Sequence, residues 1–254
     1  MQETFVEAHT LPGAYHSTLL QLYHGGDKLS CNDWGCDQIE SSATFVVTEP
    51  FAEPMISKLF IGGHQELQQY VMEITDGLLD FRVGNGFEYT YHDRLVRYDG
   101  KFNQLQFIID ELNRTPDSRR AVALIRDNKV DPFTDSAACL QHAQFFIRER
   151  KLHMKVLMRS NDAVKAAFMN AFAFIMLQKK IADELGIEVG TYTHRANSFH
   201  VYSKDFEMFE RYVDAIKTKL TGELTYKYEG VYKEMMEESI PEIQKSIEKL
   251  RGNQ

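Results

Sequence analysis

The alternation of hydrophobic and polar residues is most regular over Lys151–Met158, where every second residue is apolar. Side chains of a β-strand point alternately to its two faces, so this segment predicts a strand with one buried face. Short apolar or β-branched runs predict four further strands, which are Ala43–Thr48, Ala121–Arg126, Phe145–Ile147 and Thr191–Tyr202.

Apolar residues that recur three and four positions apart predict three helices, over Leu11–Tyr23, 65–75 and 101–113. A fourth and longer helix is predicted over Ala163–Leu185, and it is apolar on almost every side as far as Leu177. A helix that is apolar all round is buried rather than amphipathic. The charged tail that starts at Phe206 predicts two surface helices around Pro241.

These elements predict one α/β-type (α+β) domain over residues 1–254, with a mixed β-sheet, a central buried helix and a helical C-terminal extension over 206–254. A chain of 254 residues, 43% of them hydrophobic, is long enough for one sizeable core. The net charge of -8 argues against nucleic acid as a partner, because nucleic acid usually requires a basic face. A few local arginines can still form a positive pocket for a small anionic substrate.

The chain has three cysteines, Cys31, Cys36 and Cys139. An odd number in a chain that is not rich in cysteine is typical of a reducing compartment. Cys31 and Cys36 lack the second pair of ligands that a zinc site needs, so we expect them to be structural and expect no metal. The N-terminal sequence does not resemble a signal peptide, and no apolar run approaches the roughly 20 residues that span a bilayer. We therefore expect a cytoplasmic protein with no membrane partner.

The candidate nucleophile is Cys139. A cysteine considered alone is most often a small core residue, but nearby arginines favour the reactive thiolate. Four arginines lie in the segments of candidate chemistry, and they are Arg119, Arg120, Arg148 and Arg159. Guanidinium groups match phosphate oxygens in bidentate geometry, although most surface arginines only form salt bridges. Arg159 follows the alternating strand and precedes Ser160–Asp162, which predicts a turn and a helix cap that would add to anion binding.

Several polar residues predict a site for a base and a sugar. Asn170 lies in the apolar helix, where its amide either bonds to the backbone or offers a donor and an acceptor to the edge of uracil. Asp162 lies eight residues earlier, about two helical turns away, so both side chains can face one pocket. His200 and Tyr202 share one face of a predicted strand and can bind a sugar hydroxyl.

Five ordered blocks carry a resemblance to a known family. They are Phe87–Leu95, Pro116–Arg120 with the sequence PDSRR, Cys139–Phe145, Arg159–Asp162 and His200–Tyr202. The chain resembles the thymidylate synthase family over roughly residues 40–205, and it is more similar to the short archaeal-type members than to the long bacterial ones. The resemblance implies the family's mixed-sheet fold and an obligate homodimer whose sheets pack face to face.

The resemblance also implies a reaction. Cys139 would add to carbon 6 of a pyrimidine nucleotide monophosphate, so that carbon 5 attacks the one-carbon unit of 5,10-methylenetetrahydrofolate or an archaeal pterin analogue. Glu66 would be the general base, and Tyr89 would support the thiol and the base. Asp162 would contact the pterin cofactor and ordered water.

Substrate contacts follow from the same blocks. Arg159 and Ser160 would bind the 5′-phosphate, joined by Arg119 and Arg120 from the second copy of the chain. Each active site would thus be built from both chains of the dimer, and no metal is implied.

The remaining implied roles concern the nucleoside. Asn170 would read the base as a further catalytic residue, and His200 and Tyr202 would hold the ribose 3′-hydroxyl. Asn170 favours uracil, because a cytosine-specific member would carry Asp at that position. The first hypothesis is therefore methylation of dUMP to dTMP.

Departures from the family pattern leave an alternative open. The only tryptophan, Trp34, lies far upstream of the motifs, so the tryptophans of the bacterial folate pocket are missing. The N-terminal phosphate arginine of the family has no match around Lys28, and Leu250–Gln254 does not resemble the family's closing tail. These differences keep hydroxymethylation of dUMP, dCMP or CMP as the alternative, in which water replaces hydride in the last step. A non-catalytic binder is a third hypothesis, but it would not need the Cys139 thiol.

Overall fold

The structure is a computed structural model that describes residues 1–252, and Asn253 and Gln254 lie outside the described residues. Over the described chain, the structure contains eight α-helices and ten β-strands. The helices are α1 Leu11–Gly25, α2 His64–Asp76, α3 Tyr91–Val96, α4 Gln104–Arg114, α5 Ala167–Glu184, α6 Phe206–Thr218, α7 Val231–Glu238 and α8 Ile240–Gly252. The strands are β1 Glu3–Ala8, β2 Asp27–Cys31, β3 Cys36–Val47, β4 Ile56–Ser57, β5 Val122–Leu124, β6 Leu140–Arg148, β7 Lys151–Met158, β8 Asn161–Asp162, β9 Glu188–Tyr202 and β10 Thr225–Tyr226.

The chain forms two compact units. The first comprises residues 1–61, 155–171 and 191–228, and the second comprises 62–154, 172–190 and the segment that starts at Glu229. The elements α5, β7 and β9 contribute residues to both units. That residues 1–254 act as a single domain stays a prediction.

The first unit is built on a mixed sheet. Strand β3 pairs in parallel with β1 and antiparallel with both β2 and β9, and the short β8 pairs in parallel with β9. Helix α1 buries Leu11, Tyr15, Leu19 and Leu22 on one face, and this face packs against β3 and β1. Thr10 begins the helix, because its hydroxyl accepts a hydrogen bond from the backbone of Gly13 at 3.2 Å.

The second unit contains β5 and β6, which pair antiparallel, with β7 as the next neighbour of β6. Helix α2 packs against α7 and α8, where Met72, Ile243 and Ile247 form a buried apolar cluster. Arg94 on α3 is buried and binds the buried Asp131 through two hydrogen bonds of 2.8 and 2.7 Å. This ion pair fixes α3 against the loop that leads to β6.

Several predictions are confirmed. The alternating strand has the predicted bounds, Lys151–Met158, and its apolar face is buried. The helices α1, α2 and α4 lie within a few residues of the predicted segments. The predicted mixed sheet is present, and α5 is buried almost continuously from Ala171 to Leu177, as its all-apolar sequence indicates.

Two predicted elements are shorter than expected. The strand expected over Ala121–Arg126 is only Val122–Leu124, because the backbone N–H groups of Ile125 and Arg126 both donate to the carbonyl of Gln141, at 2.9 and 3.1 Å, and the regular pairing with β6 ends there. The helix expected from Ala163 begins at Ala167.

The polar sequence of Ser160–Asp162 predicts a helix cap, but the segment does not form one. Asn161 and Asp162 form β8 beside β9, and one carboxylate oxygen of Asp162 accepts hydrogen bonds from the backbone of Val164 and Lys165 at 3.1 and 2.9 Å. The side chain thus holds a turn that delays the helix. The spacing of two helical turns between Asp162 and Asn170 therefore does not describe their geometry.

The C-terminal segment contains three helices rather than two. Pro241 does not separate two helices, because it lies in the first turn of α8. A proline is tolerated there, since the first turn needs no backbone N–H. Among residues 1–252, no helix combines the length and the apolar character that crossing a membrane requires.

Candidate active site

Cys139 is half-buried and immediately precedes β6 in the second unit. Its loop is held by two side chains. The Tyr91 hydroxyl accepts a hydrogen bond from the backbone N–H of Leu140 at 3.3 Å. The Gln141 amide donates to the carbonyl of Ala138 at 2.7 Å and to that of Cys139 at 3.4 Å. The thiol is therefore presented by a short, braced turn into a strand.

An open cleft of about 490 Å³ lies in the same unit and is lined by tyrosines. Its lining residues are Tyr70, Glu73, Ile74, Leu79, Gly86, Phe87, Glu88, Tyr89, Thr90, Tyr91 and Ser136. Burial raises the pKa of Tyr70, and the negative charges of Glu73, Tyr89 and Cys139 raise it further. Burial also raises the pKa of Tyr91, which is close to Tyr70, Cys139 and Tyr89. Both phenols therefore remain neutral at physiological pH and can donate hydrogen bonds.

The predicted residue Tyr89 belongs to this cleft, whereas Tyr70 and Tyr91 were not predicted. The ring of Tyr89 lies 5.9 Å from that of Tyr91, and the Arg94 guanidinium lies 4.3 Å above it. The signal for Tyr91 was present in the sequence, because it stands two residues after Tyr89 in the same block. Tyr70 stands one helical turn after Glu66 on α2, which is the corresponding signal for that residue.

The two carboxyl groups of α2 have different surroundings. Glu66, the predicted general base, is exposed, and it accepts the backbone N–H of Gly63 at 2.8 Å as part of the helix start. That hydrogen bond lowers the pKa of Glu66. Burial raises the pKa of Glu73, which lines the cleft and accepts a hydrogen bond from Gln69 at 2.9 Å. Glu73 is thus a second carboxyl group suited to proton transfer, and sequence reasoning did not find it.

Three of the predicted arginines meet at one concave surface of about 520 Å³ in the second unit. Arg119, Arg120 and Arg148 line it together with Thr115, Asp117 and Ser118. The buried Glu111 organises this surface, because it accepts hydrogen bonds from the hydroxyl of Ser118 at 2.6 Å and from Arg120 at 2.9 Å. These bonds, led by that of Ser118, lower the pKa of Glu111 to about 2. The guanidinium of Arg119 is exposed on the same surface.

In the first unit, strand register brings two predicted blocks together. Strand β8 pairs with β9 so that Asp162 lies opposite His200, and the backbone N–H of Ala163 donates to the carbonyl of His200 at 2.8 Å. The backbone N–H of Ser198 donates to the carbonyl of Arg159 at 3.2 Å. The segments Arg159–Asp162 and Ser198–Tyr202 are therefore direct neighbours.

The predicted sugar-binding residues form one ring pair. His200 is buried and Tyr202 is half-buried, with ring centroids 4.7 Å apart. The His200 ring lies 3.2 Å from the hydroxyl of Ser198, which in turn bonds to Glu40. Burial lowers the pKa of His200, and the charge of Asp162 opposes this shift.

A buried network that sequence reasoning missed supports the Arg159–Asp162 block. The His194 ring lies between the Tyr192 hydroxyl and the Asn161 side-chain oxygen, both at 2.8 Å, and it stacks on Phe45 at 4.7 Å. Burial lowers the pKa of His194 to about 3. A neutral ring that accepts from Tyr192 and donates to Asn161 satisfies both contacts.

The predicted site residues form two sets, one in each unit. Those in the first unit are Arg159, Ser160, Asp162, Asn170, His200 and Tyr202. Those in the second unit are Glu66, Tyr89, Arg119, Arg120 and Cys139. Asn170 is buried in the first turn of α5. No group of three or more His, Cys, Asp or Glu side chains suited to a metal ion is found over residues 1–252.

The chain is similar to several known proteins. A family model described as thymidylate synthase matches residues 64–242. A protein of Methanocaldococcus jannaschii named "Putative thymidylate synthase" is 39% identical over 175 residues, which cover 65% of this chain and 76% of that protein. A protein of the same name from Methanococcoides burtonii is 27% identical over 212 residues, or 84% and 95% of the two chains. The fold is similar to thermostable thymidylate synthase A from Bacillus subtilis, with a TM-score of 0.63 and 18% identity over 81% of this chain and 84% of that one.

Proposed function

This chain belongs to the thymidylate synthase family, and we propose that it converts dUMP to dTMP with 5,10-methylenetetrahydrofolate or a related pterin as the one-carbon donor. The single observation that supports this most is the position of Cys139. Its half-buried thiol ends a braced turn and lies near the phenols of Tyr70 and Tyr91, which line an open cleft. A thiol that only fills a core would not need this polar, accessible surrounding.

In the proposed reaction, the Cys139 sulfur forms a bond to carbon 6 of the pyrimidine. The electron pair of the C5–C6 double bond moves to carbon 5, which then bonds to the one-carbon unit. The pterin supplies that carbon and, for a methyl product, the hydride. Loss of the proton on carbon 5 breaks the bond between the one-carbon unit and the pterin nitrogen and leaves an exocyclic methylene group. After the hydride adds to that methylene, elimination of the sulfur restores the C5–C6 double bond and regenerates the thiolate.

Carboxyl and phenol groups in the second unit carry out the proton transfers in this proposal. Glu66 is the proposed general base, and Tyr89 supports the thiol and the base. Glu73 is the other carboxyl group in position for this role, since burial raises its pKa. Comparing Glu66→Gln with Glu73→Gln assigns the base: the variant of the true base loses turnover by about 100-fold or more while dUMP still binds.

The other predicted residues bind the nucleotide in this proposal. Arg159 and Ser160 bind the phosphate, Asn170 reads the base, and Asp162 contacts the pterin and ordered water. His200 and Tyr202 hold the sugar hydroxyl, which their shared position on β9 supports.

We further propose a homodimer in which Arg119 and Arg120 reach the phosphate bound by the second copy. The exposed, arginine-lined surface around them supports this, because guanidinium groups gathered without a full set of carboxylate partners suit an anion. Arg119→Ala is expected to raise the KM for dUMP, and mixing it with Cys139→Ser is expected to recover activity in hybrid dimers. No recovery would contradict shared sites.

The test of the reaction is direct. The purified protein is incubated with dUMP and methylenetetrahydrofolate, and the product is identified by mass spectrometry. Cys139→Ser is expected to abolish turnover and the covalent nucleotide adduct, whereas Cys31→Ser, a matched control, is expected to retain both. Full turnover by Cys139→Ser would refute the mechanism.

Hydroxymethylation is the second candidate reaction, and the residues that line the cleft support it. That lining contains three tyrosines and two glutamates but no tryptophan, so it can hold water next to the reacting carbon. The same incubation separates the reactions, because the hydroxymethyl product is heavier than dTMP by one oxygen. Asn170→Asp is expected to shift preference toward dCMP, and an unchanged preference would contradict the role of Asn170 in reading the base.

A further inference from the structure

The only tryptophan of the chain lies at the tip of the β2–β3 hairpin. Trp34 ends a short 3-10 turn over Asn32–Trp34, and Gly35 follows with a left-handed φ of 60° that turns the chain into β3. The Trp34 side chain is 66% exposed. A single exposed aromatic residue is ordinary by itself, so its neighbours decide whether it has a role.

Trp34 continues a row of rings that starts in the sheet. Its ring lies 6.0 Å from Tyr202, which lies 4.7 Å from the buried His200. The register of the sheet produces this contact, because Tyr202 pairs with Gln38 on β3, close to the hairpin tip. The row therefore runs from the interior to the surface, and it contains both residues of the proposed sugar site.

A lysine ammonium group completes the arrangement. The amino group of Lys204 lies 5.4 Å from the centroid of Tyr202 and 5.9 Å from that of Trp34. The neighbouring carboxylate, Asp205, is bound to Lys165 at 2.6 Å. Within residues 1–252, Lys204 forms no ion pair. Two aromatic faces thus hold its position without neutralising its charge.

A second cation lies near the same rings. Arg159 is close enough to His200 for its charge to lower the pKa of that ring, although burial is the main cause of the shift. The pair His200 and Tyr202 therefore has cationic groups from the turn between β7 and β8 and from the segment after β9. On a chain with a net charge of -8, two cations beside polar rings fit an anionic ligand that also carries a hydroxyl group.

We propose that Trp34, Tyr202 and Lys204 form a subsite for the sugar-phosphate end of a nucleotide. Lys204 contacts the phosphate, and Trp34 positions Lys204 and Tyr202. The inference rests on the proposed function for the identity of the nucleotide. Lys204 would supply the positive charge of the family's N-terminal phosphate arginine, which has no match in the sequence around Lys28.

The fluorescence of Trp34 provides a local probe, because all tryptophan emission of the chain comes from this residue. The wild-type protein is titrated with dUMP, with deoxyuridine and with inorganic phosphate. We expect a saturable change in emission with dUMP, at the same midpoint as in calorimetry, and a much weaker response to deoxyuridine. Unchanged emission at a dUMP concentration that saturates the calorimetric signal would overturn the proposal.

Substitutions then separate charge from packing. Lys204→Gln is expected to raise the Kd for dUMP about tenfold, as for the loss of one charge-assisted contact, and to leave deoxyuridine binding unchanged. Lys204→Arg is expected to restore dUMP binding. Lys28→Gln, which removes an exposed cation of the same hairpin, is the matched control and should bind like wild type. Trp34→Ala is expected to raise the KM for dUMP several-fold with kcat unchanged.

The outcomes distinguish this inference from the proposed function. If Lys204→Gln binds dUMP as tightly as wild type while the enzyme still forms product, the subsite is wrong and the function stands. If the wild-type protein binds no nucleotide in calorimetry, both are overturned. A fall in kcat without a change in KM for Trp34→Ala would also contradict the positioning role.

Discussion

Acid should destabilise the first unit through two buried histidines. The His194 ring is enclosed between Tyr192 and Asn161, and the His16 ring is buried 2.8 Å from the hydroxyl of Ser57. Burial lowers the pKa of His194 from its ordinary value of 6.5 to about 3, and that of His16 to about 4. Both rings are therefore neutral in the folded protein at pH 7.

The direction of the effect follows from these shifts. Above pH 6.5 the folded and unfolded states both carry neutral rings, so the stability is complete. As the pH falls, the unfolded chain binds protons that the folded chain does not, and the free energy of unfolding decreases. From pH 7 to pH 5 each histidine is expected to remove about 2 kcal/mol, so the two together remove about 4 kcal/mol. The loss continues to about pH 4 for His16 and about pH 3 for His194.

Urea unfolding at pH 7 and pH 5 tests this, followed by circular dichroism and by the emission of Trp34. His194→Gln lowers the stability at both pH values, but its loss between them should be smaller than that of wild type by about 2 kcal/mol. His9→Gln, which removes an exposed imidazole, is the control for the loss of a histidine. The reasoning is refuted if His194→Gln and wild type lose the same free energy between pH 7 and pH 5. His16→Gln provides the same comparison if His194→Gln does not fold.

Three further changes have expected outcomes. Arg94→Ala leaves the buried Asp131 without its guanidinium partner and is expected to lower the free energy of unfolding by about 3–5 kcal/mol, measured in urea; an unchanged midpoint would contradict the buried pair. Glutathione disulfide is expected to join Cys31 to Cys36, because register partners in an antiparallel hairpin lie about 4.5–5.5 Å apart, within disulfide range. Peptide mapping checks that bond, and its absence would contradict the register. Gly77→Ala is expected to lower the unfolding free energy by at least about 1 kcal/mol, since φ is 68° and the added carbon would meet two side chains; thermal unfolding measures the loss.

The sequence predicted the elements whose patterns depend on one buried face. Strand β7 has its predicted bounds, because its alternation needs only that one face be apolar and the other exposed. Strand β8 shows no such pattern. It consists of Asn161 and Asp162, and it is a strand only because β9, far along the chain, pairs with it. Local periodicity carries no information about a pairing of this kind.

Side-chain contacts with the backbone explain the misplaced boundaries. Apolar character extends from Ala163 into α5, so periodicity favours a helix from that residue. Instead, the Asp162 carboxylate binds two backbone N–H groups and holds a turn until Ala167. At the outer edge of β5, the Gln104 amide satisfies both backbone groups of Leu124 in a comparable way. Such contacts depend on one rotamer of one residue, which a residue pattern does not specify.

In the candidate site, too, some residues could be predicted from the sequence and others could not. The motif blocks supplied Cys139, the arginines and the His200–Tyr202 pair, because ordered spacing along the chain is itself a signal. They did not supply the carboxyl group of Glu73, whose raised pKa arises from burial that only the packing of α2 creates. A residue type repeated along one helix, as Glu66 and Glu73 are, is ambiguous until the burial of each side chain is known.

Distance along the chain does not describe the surroundings of Trp34. Its position far upstream of the motifs indicates that the tryptophans of the bacterial folate pocket are missing. The pairing of β3 with β9 brings the hairpin tip to Tyr202, so Trp34 lies beside a residue of the proposed sugar site. The same pairing places an unneutralised Lys204 near Trp34. Lys204 and Trp34 are far apart in the sequence, but they are neighbours in the structure. The affinity of Lys204→Gln for dUMP measures whether the two residues replace the missing phosphate arginine.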